Sequence, residues 1–156
     1  MSDTPAAPTL AFLATMNVTV AEPTEIGTTR EGQRRIIPIT GGTISGPHLR
    51  GKVLPVGADF QLLRSSTVTE MEAKYAIETD DNERIYVHNF ALRTGPEHDI
   101  ARLVRGEKTD PSRIYFRSSF RLTATGEKWS WLDSKIVIGS GERFPSEVRI
   151  HIFVVE

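Results

Sequence analysis

Several side chains able to move a proton or hold an oxygen stand at defined points of a strand-rich sequence. Asp59 follows Gly57-Ala58 and precedes Phe60. A carboxylate in apolar surroundings has a raised pKa, which suits it to shuttle protons near neutral pH. Alternation across Ala58 to Arg64 puts Phe60 and Leu62 on one side and Asp59 and Gln61 on the other, and parity favours the apolar pair facing inward with Asp59 solvated. Tyr75 shares the apolar face of 68–78 with Met71, Ala73 and Ile77. A buried tyrosine needs a partner for its hydroxyl, so Tyr75 is either a core residue bonded to backbone or a phenol in a cavity, acting as acid or donor. Asn89 has the parity of Ile85 and Val87, and a polar group there must be satisfied by protein, water or ligand. Arg117 and Tyr115 lie opposite the apolar set Phe116, Phe120 and Leu122; Arg117 either fixes a carbonyl or anionic oxygen or is an ordinary surface arginine. Trp129 and Trp131 read as one face of a strand at 129–138 with Asp133, forming either a wall for a flat ligand or ordinary packing.

Other chemistry is excluded by composition. The chain has no cysteine, hence no disulfide, thiolate nucleophile or thiolate metal site. There is no G-x-S-x-G, H-E-x-x-H, P-loop or G-x-G-x-x-G motif; Gly139-Ser140-Gly141 begins like a dinucleotide fingerprint but lacks its third glycine and its βαβ frame. His48, His88, His98 and His151 have no ligand spacing and read as surface or locally bonded histidines, so neither metal nor cofactor is expected. The 19 Lys+Arg balance 20 Asp+Glu, a net charge of −1 that points to no nucleic acid and no anionic membrane. No stretch approaches the roughly 18 apolar residues of a membrane span. Met1-Ser2-Asp3-Thr4-Pro5 has no basic region followed by an apolar one, so a cytoplasmic protein without a signal peptide is expected.

The elements that must position these residues follow from a dominant period of two. With 156 residues the chain is one domain's worth. Residues 1–9 read as a disordered tail and 10–156 as a single domain. Strands are predicted at 10–20, 35–40, through Ile44, 48–54, 58–64, 68–78, 84–93, 114–123, 129–138 and 147–155. Glu22 to Gly32 reads as a polar connection, Pro38 as an edge or bulge, Asp80-Asp81-Asn82 as a hairpin turn, and Gly139-Ser140-Gly141 as a turn. One helix begins at Gly95-Pro96-Glu97, buries Ile100, Leu103 and Val104, and stops at Gly106. The fold class is all-β: a closed antiparallel barrel of about 8–10 strands, a calycin-like meander with one short helix, since closure removes exposed edges.

The runs Arg34-Arg35-Ile36-Ile37-Pro38-Ile39-Thr40-Gly41-Gly42-Thr43, Gly57-Ala58-Asp59-Phe60-Gln61, Tyr75 with Asp80-Asp81, Ile85-Tyr86-Val87-His88-Asn89, Tyr115-Phe116-Arg117, Trp131-Leu132-Asp133 and Gly139-Ser140-Gly141-Glu142-Arg143 occur in this order. Together they resemble the family called domain of unknown function 3237, over about Leu10 to Glu156. The resemblance implies a barrel similar to that of allene oxide cyclase. It also implies cofactor-free cyclase or isomerase activity, as in family members from biosynthetic pathways, although most of the family is unassigned. Family patterns carry an aspartate at Asp59, a tyrosine at Tyr75, an asparagine at Asn89, an arginine at Arg117 and a tryptophan at Trp131. The chain departs at Phe60, where tryptophan is common, at Asp133, where asparagine is common, and in the loop before Trp131.

The leading expectation is therefore a cofactor-independent cyclase or isomerase. Its substrate would be a small hydrophobic molecule (aromatic, polyketide-like or terpenoid-like) held in the barrel lumen. Asp59, Tyr75 and Arg117 are the expected catalytic residues, and Asn89, Trp131, Tyr115, His88 and Gln61 the expected substrate-binding ones. The alternatives are a carrier barrel for a hydrophobic small molecule and a structural oligomer with a filled lumen. A homodimer is expected for each.

Overall fold

The computed structural model describes residues 3–156. The part of the predicted tail that falls on Met1 and Ser2 lies outside the described residues; residues 3–9 are exposed and carry no strand or helix. The strands are β1 (Leu10–Val20), β2 (Thr24–Thr29), β3 (Gly32–Ser45), β4 (Arg50–Val53), β5 (Ala58–Leu63), β6 (Val68–Thr79), β7 (Arg84–Thr94), β8 (Tyr115–Ala124), β9 (Val137–Arg143) and β10 (Glu147–Val155), with one helix, α1 (Glu97–Val104).

All ten strands join one antiparallel sheet; nine follow the order β1-β10-β9-β8-β7-β6-β4-β3-β2, β5 pairs with β3 and β6 off this path, and pairing of β1 with β3 closes it. β4 and β5 lie end to end in the space between β3 and β6. The barrel wall therefore has eight positions, with β4 and β5 sharing one. β2 continues along the β3 edge that β1 occupies and pairs with β3 alone.

The long alternating segments form strands for the expected reason: each has one apolar face, and closure buries it. On β6, Met71, Ala73, Tyr75 and Ile77 are buried, as the alternation predicts. The hairpin at Asp80–Asn82 turns through Asn82 at φ 64°, a left-handed conformation that asparagine tolerates. The helix has the expected bounds and is followed by Gly106 at φ 80°. Pro38, read as an edge or a bulge, pairs in regular register with Ala58 on β5, and the register slip of β3 against β1 lies two residues further on, at Thr40.

Three local readings are corrected. Glu22 to Gly32 is not only a connection, since Thr24–Thr29 pairs with β3. Alternation in β1 breaks at a bulge between Phe12 and Ala14, so Leu13 rather than Phe12 is buried. The strand predicted at 129–138 is a 3-10 turn over Ser130–Ser134, and the true strand starts at Val137. Gly139-Ser140-Gly141 is consequently mid-strand rather than a turn. A Cβ at Gly139 would stand 2.7 Å from the Phe120 ring, and one at Gly141 would stand 2.8 Å from the Phe116 ring. The glycines are bare so that Phe120 and Ile150 at one, and Phe116 at the other, can press against the β9 backbone.

The interior has two unlike ends. Met16, Leu49, Ile77, Ile85, Leu132 and Ile152 fill the end nearest the β6–β7 turn, all almost wholly buried. The other end, beside α1, is open enough to hold a cavity.

Candidate functional site

β5, β6 and β7 build the floor of that cavity. Asp59 on β5 is paired with Ala73 on β6, which is paired with Asn89 on β7. The three side chains thus form one row across the inner wall. Tyr75 stands one inward-facing step toward the packed end. Gln61, Met71 and Ala91 form the next row toward the mouth. Arg93 follows, beyond Ala91 on the inner face of β7. About 40 Å³ here is open to the centre of a water molecule, enough for more than one water. Apart from the polar groups, the lining is aliphatic, with Val18, Ile37, Ile39 and Ile150 among it, and one ring, Phe116.

Asp59 therefore faces the lumen, against the parity reading. Phe60 is the outward residue, 44% exposed, and Gln61 is buried. The reversal is physical. Both faces of β5 are partly covered, since Phe60 and Leu62 lie in a groove on the outside of the barrel with Phe90 and Leu92. An apolar pair consequently does not mark the inner face.

The polar groups are poorly partnered. Gln61 Nε2 donates to Asp59 Oδ2 at 2.8 Å, but Asp59 Oδ1, Gln61 Oε1 and Asn89 Oδ1 are all buried without a hydrogen-bond partner. Burial pushes the Asp59 carboxyl above the ordinary carboxylate range, and this outweighs the Gln61 hydrogen bond and the guanidinium groups of Arg93, Arg143 and Arg35, which pull the other way. Tyr75 is 3% exposed, and its hydroxyl reaches only the thioether of Met16 at 3.7 Å, a weak acceptor. Burial, reinforced by the Asp59 charge, pushes the phenol pKa far up, so Tyr75 stays a proton-bearing donor. Such unpaired buried groups are uncommon in folded proteins, and here they converge on one space.

The structure separates the remaining predicted residues from this row. Arg117 and Tyr115 are on the outer face of β8, where Arg117 Nη1 donates to Phe116 O at 3.0 Å and Ser140 Oγ at 3.2 Å, with its guanidinium over the Tyr115 ring. His88 is on the outer face of β7, bonded to Glu72 Oε1 at 3.0 Å and tilted against Phe90. Trp131 is 41% exposed in a groove with Phe12, His48 and Val154, at the packed end of the barrel. The expected clamp of Arg117 with Tyr75 and the expected tryptophan wall are thus not formed. The reason is strand parity for Arg117, Tyr115 and His88. For Trp131 it is the 3-10 turn that replaces the strand.

Two lumen residues escaped the sequence reading, Arg93 and Arg143. Arg93 was accessible to it, because continuing the alternation Ile85, Val87, Asn89, Ala91 reaches Arg93. Arg143 was not, because its strand read as a turn. No group of three or more His, Asp or Glu side chains able to hold a metal comes together among the described residues, and none of their helices is long and apolar enough to cross a membrane.

Comparison with known proteins agrees with this architecture. A family model described as "Protein of unknown function (DUF3237)" matches residues 8–155. A UPF0311 protein of Rhodopseudomonas palustris is 41% identical over 92% of this chain and 94% of its own. The crystal structure of that bacterium's protein of unknown function superposes with a TM-score of 0.91 at 39% identity, covering 98% of this chain and 100% of that one. A structure called a beta-barrel like protein, from Acinetobacter baumannii, has a TM-score of 0.85 at 34% identity, covering 99% and 100%. A structure described as an enzyme from Penicillium herquei shares the fold, with a TM-score of 0.73 at 19% identity over 100% of both chains.

Proposed function

Because this chain belongs to the DUF3237 family of unknown function, its activity has to be argued from the lumen itself, and we propose a cofactor-independent isomerase or cyclase acting on a small, largely apolar molecule held there. The observation that carries this reading is the Asp59 carboxyl. Its Oδ1 is buried, unpartnered and next to a cavity whose walls are mainly apolar. A carboxylate in that position gains a hydrogen bond only when something enters the cavity.

In the proposed cycle the Asp59 carboxylate takes a proton from a hydroxyl or from a carbon beside a carbonyl. The Tyr75 hydroxyl donates a hydrogen bond to the substrate oxygen on which charge develops, and one such donor is worth about 2–4 kcal/mol. The electron pair released re-forms a bond within the same molecule, by double-bond migration or ring closure. Protonated Asp59 then returns its proton to another atom of that molecule, so composition is unchanged. The Asn89 amide fixes a polar edge of the substrate. The rigid wall contributes by holding one reactive conformer. The alternative, a carrier barrel, rests on the apolar lining alone. It leaves an ionisable carboxyl with one buried, unpartnered oxygen at the cavity floor without a reason.

The test is conversion at constant mass. Small molecules extracted from the producing organism are incubated with wild-type protein or with Asp59→Asn and followed by chromatography and mass spectrometry. A compound that shifts retention at unchanged mass with wild type, and at least about a hundredfold more slowly with the variant, is the expected result for loss of an acid–base group. Conversion at the wild-type rate by Asp59→Asn removes Asp59 from the mechanism. A compound retained but never converted identifies a carrier.

A further inference from the structure

The cavity mouth holds a cation whose side chain makes no hydrogen bond among the described residues. Arg93 is 2% exposed and lines the cavity. Its Nε is buried without a partner, and no carbonyl or carboxylate among the described residues accepts a hydrogen bond from its side chain. The Phe116 ring lies 6.0 Å from the guanidinium carbon, and the Asp59 charge acts on the guanidinium through space without a hydrogen bond. The neighbouring guanidinium groups are differently placed. Arg35 is tied to Val104 O at 3.1 Å and to Glu25 at 3.5 Å, where it meets the C-terminal end of α1. Arg143, which also lines the cavity, gives Nη1 to Phe144 O at 2.8 Å and Glu147 O at 3.3 Å. Asp59 is the sole carboxylate in the lining, and it is bonded to Gln61 rather than to Arg93.

Two guanidinium groups thus share a largely apolar cavity with one carboxylate. A buried cation without its hydrogen bonds is costly to keep. The planar fork of Arg93 matches a carboxylate with two parallel bonds. We propose that the lumen selects an amphipathic acid. Arg93 binds the ligand's carboxylate at the mouth, Arg143 adds a second positive field, and the ligand's apolar body lies inward over Asp59 and Tyr75. This deepens the catalytic reading and rests on the lumen being a ligand site. It adds the substrate class, a carboxylic acid with an apolar body, and the direction in which that acid enters.

The test uses an isosteric pair, benzoate and benzamide, titrated into the full chain and followed by the amide NMR shifts of β5, β6 and β7 residues. Benzoate is expected to bind at least about tenfold more tightly than benzamide, as for other hydrogen bonds to a charged group. Arg93→Met, which keeps the apolar stem, is expected to abolish the preference while leaving benzamide binding within about twofold. If that variant does not fold, Arg93→Lys serves, with the preference reduced because one point charge replaces a two-bond fork. Equal binding of the two probes by wild type overturns the acid inference and leaves the lumen as a ligand site. A preference that survives in Arg93→Met overturns the role of Arg93. Failure of both probes to move lumen resonances overturns the lumen reading and this inference together.

Discussion

Asp59 combines two effects that oppose each other. Its folded-state pKa is raised by burial above an unfolded value of about 3.9. Ionising it therefore costs folding stability: the folded state holds the proton more tightly, stability is not reduced below the unfolded pKa, and it falls as pH rises through the raised folded value. Asp59→Asn cannot ionise. The variant is expected to lack that fall and to be more stable than wild type at neutral pH. Urea unfolding at several pH values between 4 and 8 checks this, and parallel curves for the two proteins would sink it. A variant that gains stability while losing turnover is the usual trade-off at a site kept for chemistry. Much of the site was legible at this scale. Tyr75 and Asn89 have inward parity, and both line the cavity. Asp59 was legible as a candidate but not in its direction, because parity compares two faces and cannot tell which of two covered faces is inside.

Whether a glycine run is a turn or a strand is decided at the element scale by what lies over it. Gly141 is flat against Phe116, which also lines the cavity. Gly141→Ala is expected to destabilise the barrel by about 1–3 kcal/mol through overpacking and to shift Phe116 into the lumen. Chemical denaturation measures the first effect and the Phe116 ring resonances the second. A variant as stable as wild type, with unmoved Phe116 signals, would mean that β9 is free to shift. The same cause explains why 129–143 was misread while 68–94 was read closely. β6 and β7 carry uninterrupted alternation and a turn with its own local chemistry. Residues 129–143 place tryptophans in a 3-10 turn and glycines in a strand, reversing what those residue types prefer when packing is ignored. The outward position of Arg117 follows from the same element logic, because Phe116, Phe120 and Leu122 already occupy the inner face of β8.

For the whole molecule, closure separates β2 from every other strand. β1 is bonded on both sides, to β10 and β3, through Thr15–Thr19, whereas β2 pairs with β3 alone. Amide hydrogen exchange is expected to be fastest on β2 among the strands and slow across Thr15–Thr19. Rapid exchange at Thr15–Thr19 would mean that the barrel opens between β1 and β3. Most strand segments, the helix and the all-β class were determined by the chain alone, because apolar periodicity and turn chemistry are local and survive without knowledge of partners; β2 and the 129–143 stretch were not. Closure was an inference from strand number and the economy of having no edges, and the β1–β3 pairing bears it out. Which residues meet was left to the tertiary structure. Asp59, Asn89 and Arg93 converge because two strand registers and one closed wall aim them at the same space, while Arg117 and Trp131, as suitable in type, are carried to the outer face and the far end. A side chain's chemistry is written in its residue type. Its company depends on contacts between segments remote in sequence, and those exist only once the sheet has closed.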